Sequence, residues 1–100
     1  MATWKVKITD EAARLFEGKT LTIEDRVIIQ QWAKLVQTRG PEALLERPGM
    51  WADHALYGEW KDHRASSFSH LGRIIYKVEE RVVTVIVVRI THDHDYKKEK

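Results

Sequence analysis

The stretch RIIYKVEERVVTVIVVRI, from Arg73 to Ile90, decides the fold. Ile74, Tyr76 and Val78 recur at every second position, the period of a strand with one face in a core. Glu79-Glu80-Arg81 supplies a tight turn, and VVTVIVVRI follows as a long strand. Because that strand is apolar on both faces, it is expected in the centre of a sheet.

Working outward, a further strand is expected around residues 64–69, preceded by an irregular stretch, MWADHALYGEWKDH. Before it, PEALLE reads as a short turn of helix that ends at Pro48-Gly49. Ile28, Ile29, Trp32, Leu35 and Val36 form a stripe at helical spacing. Thr22 and Asp25 look like a capping box at the start of that helix, and Arg39-Gly40-Pro41 closes it. A shorter helix, EAARLFEG, carries Ala12, Leu15 and Phe16 on one face, with Thr9 and Asp10 at the cap and Gly18 as the stop. At the start, TWKVKIT alternates Trp4, Val6 and Ile8 with Lys5 and Lys7, as a half-buried strand does. The expected fold is α+β: an N-terminal strand, then two helices packed on one face of a curved, mostly antiparallel four-stranded sheet.

With 100 residues and 43% apolar content, the chain suffices for a single domain, 1–100, with one core. It has no cysteine, which excludes disulfides, thiolate metal sites and cysteine nucleophiles. Its first residues, MATWKVKITDE, form neither a secretory leader nor a membrane span, so a soluble, cytoplasmic protein is expected. Net charge is +2, but residues 1–60 carry 8 Lys/Arg against 9 Asp/Glu while residues 61–100 carry 9 against 6. All five histidines lie between His54 and His94. The polar chemistry therefore concentrates in the second half, and its modest basic excess suits a phosphate-bearing partner.

The segment RITHDHDY, from Arg89 to Tyr96, admits three readings: a metal site, an acid and base set, or a solvated tail. His92 and His94 would share a face if the strand continued, with Asp93 or Asp95 as oxygen ligands and His54 as a third protein ligand. A zinc site takes three or four protein ligands, more than this segment places together on its own. No metal and no cofactor is therefore expected.

The run HALYGEWKDHR, then RIIYKVEE, then an apolar strand ending in THDHDY, resembles the RelE superfamily of toxins from bacterial toxin–antitoxin pairs. The likeness is to the YafQ-like branch and covers roughly the second half of the chain. It implies a cytoplasmic endoribonuclease, an mRNA interferase that cuts messenger RNA on the ribosome and is silenced by a cognate antitoxin. By position the resemblance puts His54, Arg73, His92 and Tyr96 in the catalytic set, and Arg64, Lys61 and Lys77 against RNA phosphate. The sequence departs from the pattern at Ser67, where a further histidine stands in the YafQ-like branch, and at Leu71, where an aspartate stands. His63, His70 and His94 are read as surface residues.

The residue types suit that chemistry. Metal-free RNA cleavage uses the ribose 2′-OH as nucleophile, so it needs a base for that proton, an acid for the leaving 5′-oxygen, and cations around the phosphate. Imidazole, with an ordinary pKa of about 6.5, suits both proton transfers. A guanidinium donates in pairs and stays charged, which suits phosphate. An aromatic such as Tyr96 can stack on an unpaired base. Three alternatives stand beside this reading: a ParE-like toxin that targets DNA gyrase, a catalytically inactive binding module of the same fold, and a histidine/aspartate metal-binding protein.

Overall fold

A computed structural model describes residues 4–90 of the chain. Strand β1 (Lys5–Ile8) leads into helix α1 (Asp10–Glu17) and the long helix α2 (Ile23–Arg39). A 3-10 segment (Pro41–Glu46) and a single helical turn, α3 (Pro48–Trp51), then bring the chain to β2 (His54–Ala55). A 3-10 turn (Gly58–Trp60), β3 (Arg64–Ser67), β4 (Gly72–Glu79) and β5 (Val82–Ile90) complete the order.

The α+β class, the N-terminal strand and the two main helices are as expected. The sheet has five strands, ordered β1-β5-β4-β3-β2, one more than the four expected. The extra member is β2, two residues long, inside the stretch expected to be irregular; two residues carry no readable period. Pairing is antiparallel except between β1 and β5. The central strand is β4; β5 lies beside it, because β1 pairs along the other side of β5. Pro48-Gly49 opens a helical turn where the sequence suggested an end, consistent with the preference of proline for the first helical position.

Local chemistry explains the elements. Thr9 caps α1 by accepting from the Ala12 N–H at 3.2 Å, and its hydroxyl donates to the Ile86 carbonyl at 2.6 Å, tying the cap to β5. The capping box of α2 is formed in both directions, Asp25 N–H to Thr22 Oγ1 at 3.0 Å and Thr22 N–H to Asp25 Oδ2 at 3.1 Å. Gly40 ends α2 at φ 85°, where a Cβ would meet the Trp4 indole at 2.7 Å.

A bulge separates the two sheet faces on β5. Ile75 pairs with Val87 and Tyr76 with Val85, leaving Ile86 as an extra residue. Val83, Val85 and Val88 therefore reach the helix layer, where they join Trp32, Val36, Leu44, Ile74 and Tyr76 in the main core. Ile86 and Val87 instead join Ala65 and Ile75, with Leu56 and Trp60, in a smaller cluster on the open face. The unbroken apolar run of β5 thus serves two cores through one extra residue.

Candidate active site

Register orders the open face into three rows. Ser67, Arg73 and Arg89 form one; His54, Ala65, Ile75 and Val87 form the next; Lys77, Thr84 and Lys7 form the third. Directly opposed residues share a face, so a buried apolar row, covered by Leu56 and Trp60 and ending in the exposed His54, lies between an arginine row and a lysine row. The accessible groups are His54 and the two cationic rows, which suit a chain with anionic links.

His54 is exposed, and its Nδ1–H donates to the carbonyl of Ala52 at 2.9 Å. This bond selects the tautomer that leaves Nε2 free to accept a proton. His63, just before β3, repeats the arrangement with Nδ1 at 3.1 Å from the Lys61 carbonyl, its ring edge-to-face with Trp60 at 5.2 Å. Arg73 donates through one terminal nitrogen to the Gly72 carbonyl at 2.8 Å and the His70 carbonyl at 3.3 Å, which holds the guanidinium at the β3–β4 turn. Lys61 is exposed, and Lys77 lies 3.8 Å from Glu79, a loose surface pair.

Arg64 faces the other way. Its Nε donates to Asp53 Oδ1 at 2.7 Å, and a terminal nitrogen lies 2.7 Å from the same oxygen. The Asp53 side chain is 1% exposed, and its Oδ2 accepts from Ser66 Oγ at 2.6 Å and from the Tyr76 hydroxyl. Trp32 Nε1 in turn donates to Ser66 Oγ at 3.0 Å, and the Trp32 and Tyr76 rings meet edge-to-face at 5.3 Å. Burial pulls the Arg64 guanidinium down, but hydrogen bonding and charge from Asp53 and Tyr76 outweigh it and raise the pKa overall. Burial first, then the Asp53 hydrogen bond and charge, push the Tyr76 phenol well above its usual value. Arg64, expected on RNA phosphate, is thus bound to a buried carboxylate on the helix side of the sheet.

No protein-family model and no curated protein sequence matches this chain. Solved structures do resemble it. An archaeal RelE–RelB complex from Pyrococcus horikoshii OT3 contains a chain with TM-score 0.70 at 15% identity, over 91% of this chain and 98% of that one. A chain of the E. coli DinJ–YafQ toxin–antitoxin complex gives 0.64 at 16%, over 87% and 91%. A YoeB/ParE toxin from Agrobacterium tumefaciens gives 0.68 at 14%, over 88% and 99%. The fold is that of the RelE-type toxins.

In this RelE-like fold, His54 and Arg73 emerge on one open face with Lys77, and Arg64 does not join them. His92 and Tyr96 lie outside the described residues, as does the His92/His94 metal reading. Among the described residues, no group of three or more His, Cys, Asp or Glu side chains is placed to hold a metal ion. Nor does any described helix have the length and apolarity to cross a membrane. Asp53 was missed by sequence reasoning. Its partners stand 11, 13 and 23 residues away, and only the β2–β3–β4 register brings them together.

Proposed function

We propose that this RelE-like chain is the cytoplasmic toxin of a toxin–antitoxin pair and acts as an endoribonuclease on messenger RNA engaged with the ribosome. One observation carries the reading: His54, whose Nδ1–H bond to Ala52 leaves the acceptor lone pair on Nε2, stands exposed between cationic rows on the open face of a RelE-type sheet. RNA laid along that face meets the half-buried Leu56 and Trp60 for its bases, Arg73 and Lys77 for its phosphates, and an imidazole for the ribose 2′-OH. His54 then takes or returns a proton while the 2′-oxygen bonds to phosphorus and the bond from phosphorus to the 5′-oxygen breaks. His92, from the sequence pattern, is the partner in proton transfer, and Tyr96 an aromatic neighbour for a base. The partner protein is an antitoxin whose segment crosses the basic open face, where charge complementarity would guide it.

Induction of the chain alone in bacteria tests this. Growth should stop with loss of translated messages, and His54→Gln, made to the same soluble level, should relieve the arrest. Continued growth with soluble, folded parent protein would sink the proposal. The likeness to a YoeB/ParE toxin favours one second reading, a gyrase-directed toxin. Inhibition of DNA supercoiling by the purified chain, without RNA cleavage, would replace the first reading with the second.

A further inference from the structure

We infer that Asp53 is a positioning residue for His54: its buried carboxylate, held by Arg64, Ser66 and Tyr76, fixes the register that presents the imidazole on the open face. The inference rests on the reading of His54 as a proton-transfer group.

The segment carrying His54 is held at its flanks, by the buried Trp51 before it and by the Leu56 N–H donating to the His63 carbonyl at 2.9 Å after it, but only lightly at His54 itself. Strand β2 contributes two pairs to the sheet, His54 with Ala65 and Ala55 with Arg64. It follows Ala52, whose φ of 46° puts a non-glycine residue in the left-handed region. A two-residue edge strand after such a joint has weakly specified register, and a slip by one residue would turn His54 toward the opposite face. Asp53 removes that freedom. It precedes His54 by one residue, and its carboxylate meets Ser66, the residue after Ala65 on β3, so the side chain extends the ladder where the backbone pairing stops. The bond from Tyr76 carries the anchor on to the central strand β4. Ala52, on the other side of Asp53, supplies the carbonyl that selects the His54 tautomer, so one anchor sets both backbone and ring.

A purely stabilising role explains the cluster less well. Buried ion pairs often give no more stability than well-packed apolar residues of the same volume, because desolvation offsets their attraction. Here a carboxylate with a 1% exposed side chain is kept directly beside the exposed histidine of the open face. Arg64 acquires its role in the same arrangement: it holds the anchor.

The test is a double-mutant cycle between Asp53→Asn and His54→Gln, read by single-turnover cleavage of a message on ribosomes and by imidazole 15N resonances of the free protein. Asp53→Asn should lower the cleavage rate by about 10- to 100-fold when ribosome complexes saturate the protein, the scale of a small misplacement, with affinity for those complexes little changed. On the His54→Gln background it should have no further effect. The His54 resonances of folded Asp53→Asn should lose the signature of a single Nδ1–H tautomer. If Asp53→Asn does not fold, Tyr76→Phe, which removes one donor at nearly constant volume, takes its place in the cycle with the same expected pattern. Equal losses in both backgrounds, or unchanged His54 resonances in a folded variant, would overturn the inference alone. Full activity of His54→Gln would instead bring down the functional reading on which it rests.

Discussion

Arg73 stands directly opposite Arg89 in the β4–β5 ladder, so two guanidinium groups leave the same face from neighbouring positions. Carbonyl oxygens of the β3–β4 turn hold Arg73, whereas Arg89 is exposed. Like charges directly opposed across a strand pair cost on the order of 0.2–1 kcal/mol. An anion lying over the row would reverse the sign of that term, which is why we read the pair as part of a binding surface.

Arg89→Gln should therefore stabilise the free protein by up to about 1 kcal/mol at low salt, with the gain shrinking as salt screens the parent. Denaturant midpoints of parent and variant at two ionic strengths check this. RNA affinity of the variant should fall, with a shallower salt dependence. A variant less stable than the parent at low salt would show that the two arginines do not repel.

Tyr76 gives a pH prediction. Its phenol is raised in the folded state, by burial first and then by Asp53, above the ordinary value of about 10 of the unfolded chain. The folded state thus keeps the proton where the unfolded state loses it. The resulting stability is full below about pH 10 and is lost as pH rises through that value toward the folded pKa. Tyr76→Phe lacks this titration, so the stability difference between parent and variant should narrow as pH climbs from about 8 to 11. Unfolding curves across that range measure it, and a constant difference would mean that Tyr76 ionises alike in both states.

The β4–β5 turn gives a third prediction. Glu79 pairs with Val82, leaving a two-residue loop in which Glu80 and Arg81 have φ of 48° and 68°. Both are left-handed, as this kind of hairpin turn requires, but neither is the Asn or Gly that suits it. Arg81 is also occupied, its guanidinium 5.3 Å from the centre of the Trp4 ring. Glu80→Asn keeps that contact and should raise stability by about 0.5–1 kcal/mol, visible as a higher melting temperature. An unchanged or lower melting temperature would count against strain at this turn.

These residues also show what a sequence discloses. The turn at Glu79-Glu80-Arg81, the Thr22/Asp25 box and the Gly18 and Gly40 stops were legible because each is a local pattern with a local cause. The apolar run of β5 was legible as a buried strand, but the Ile86 bulge that divides it between two cores was not. Bulges depend on the partner strand, and the sequence of β5 alone does not mark one. His54 was singled out as a residue, while the edge strand that carries it went unread, since two residues show no alternation. Arg64 shows the converse limit: its pairing with Asp53, eleven residues away, is set by the fold and leaves no local mark in the sequence.

The most direct test of the account is cleavage of a translated message by purified protein on ribosomes, comparing parent with His54→Gln and mapping the new ends. The protein is treated with chelator before mixing, and magnesium is supplied with the ribosomes. The parent should cut, leaving 2′,3′-cyclic phosphate and 5′-hydroxyl ends, and folded His54→Gln should be slower by at least about tenfold, the low side of what a general acid or base contributes. No cleavage by folded parent, or full activity of His54→Gln, would contradict it.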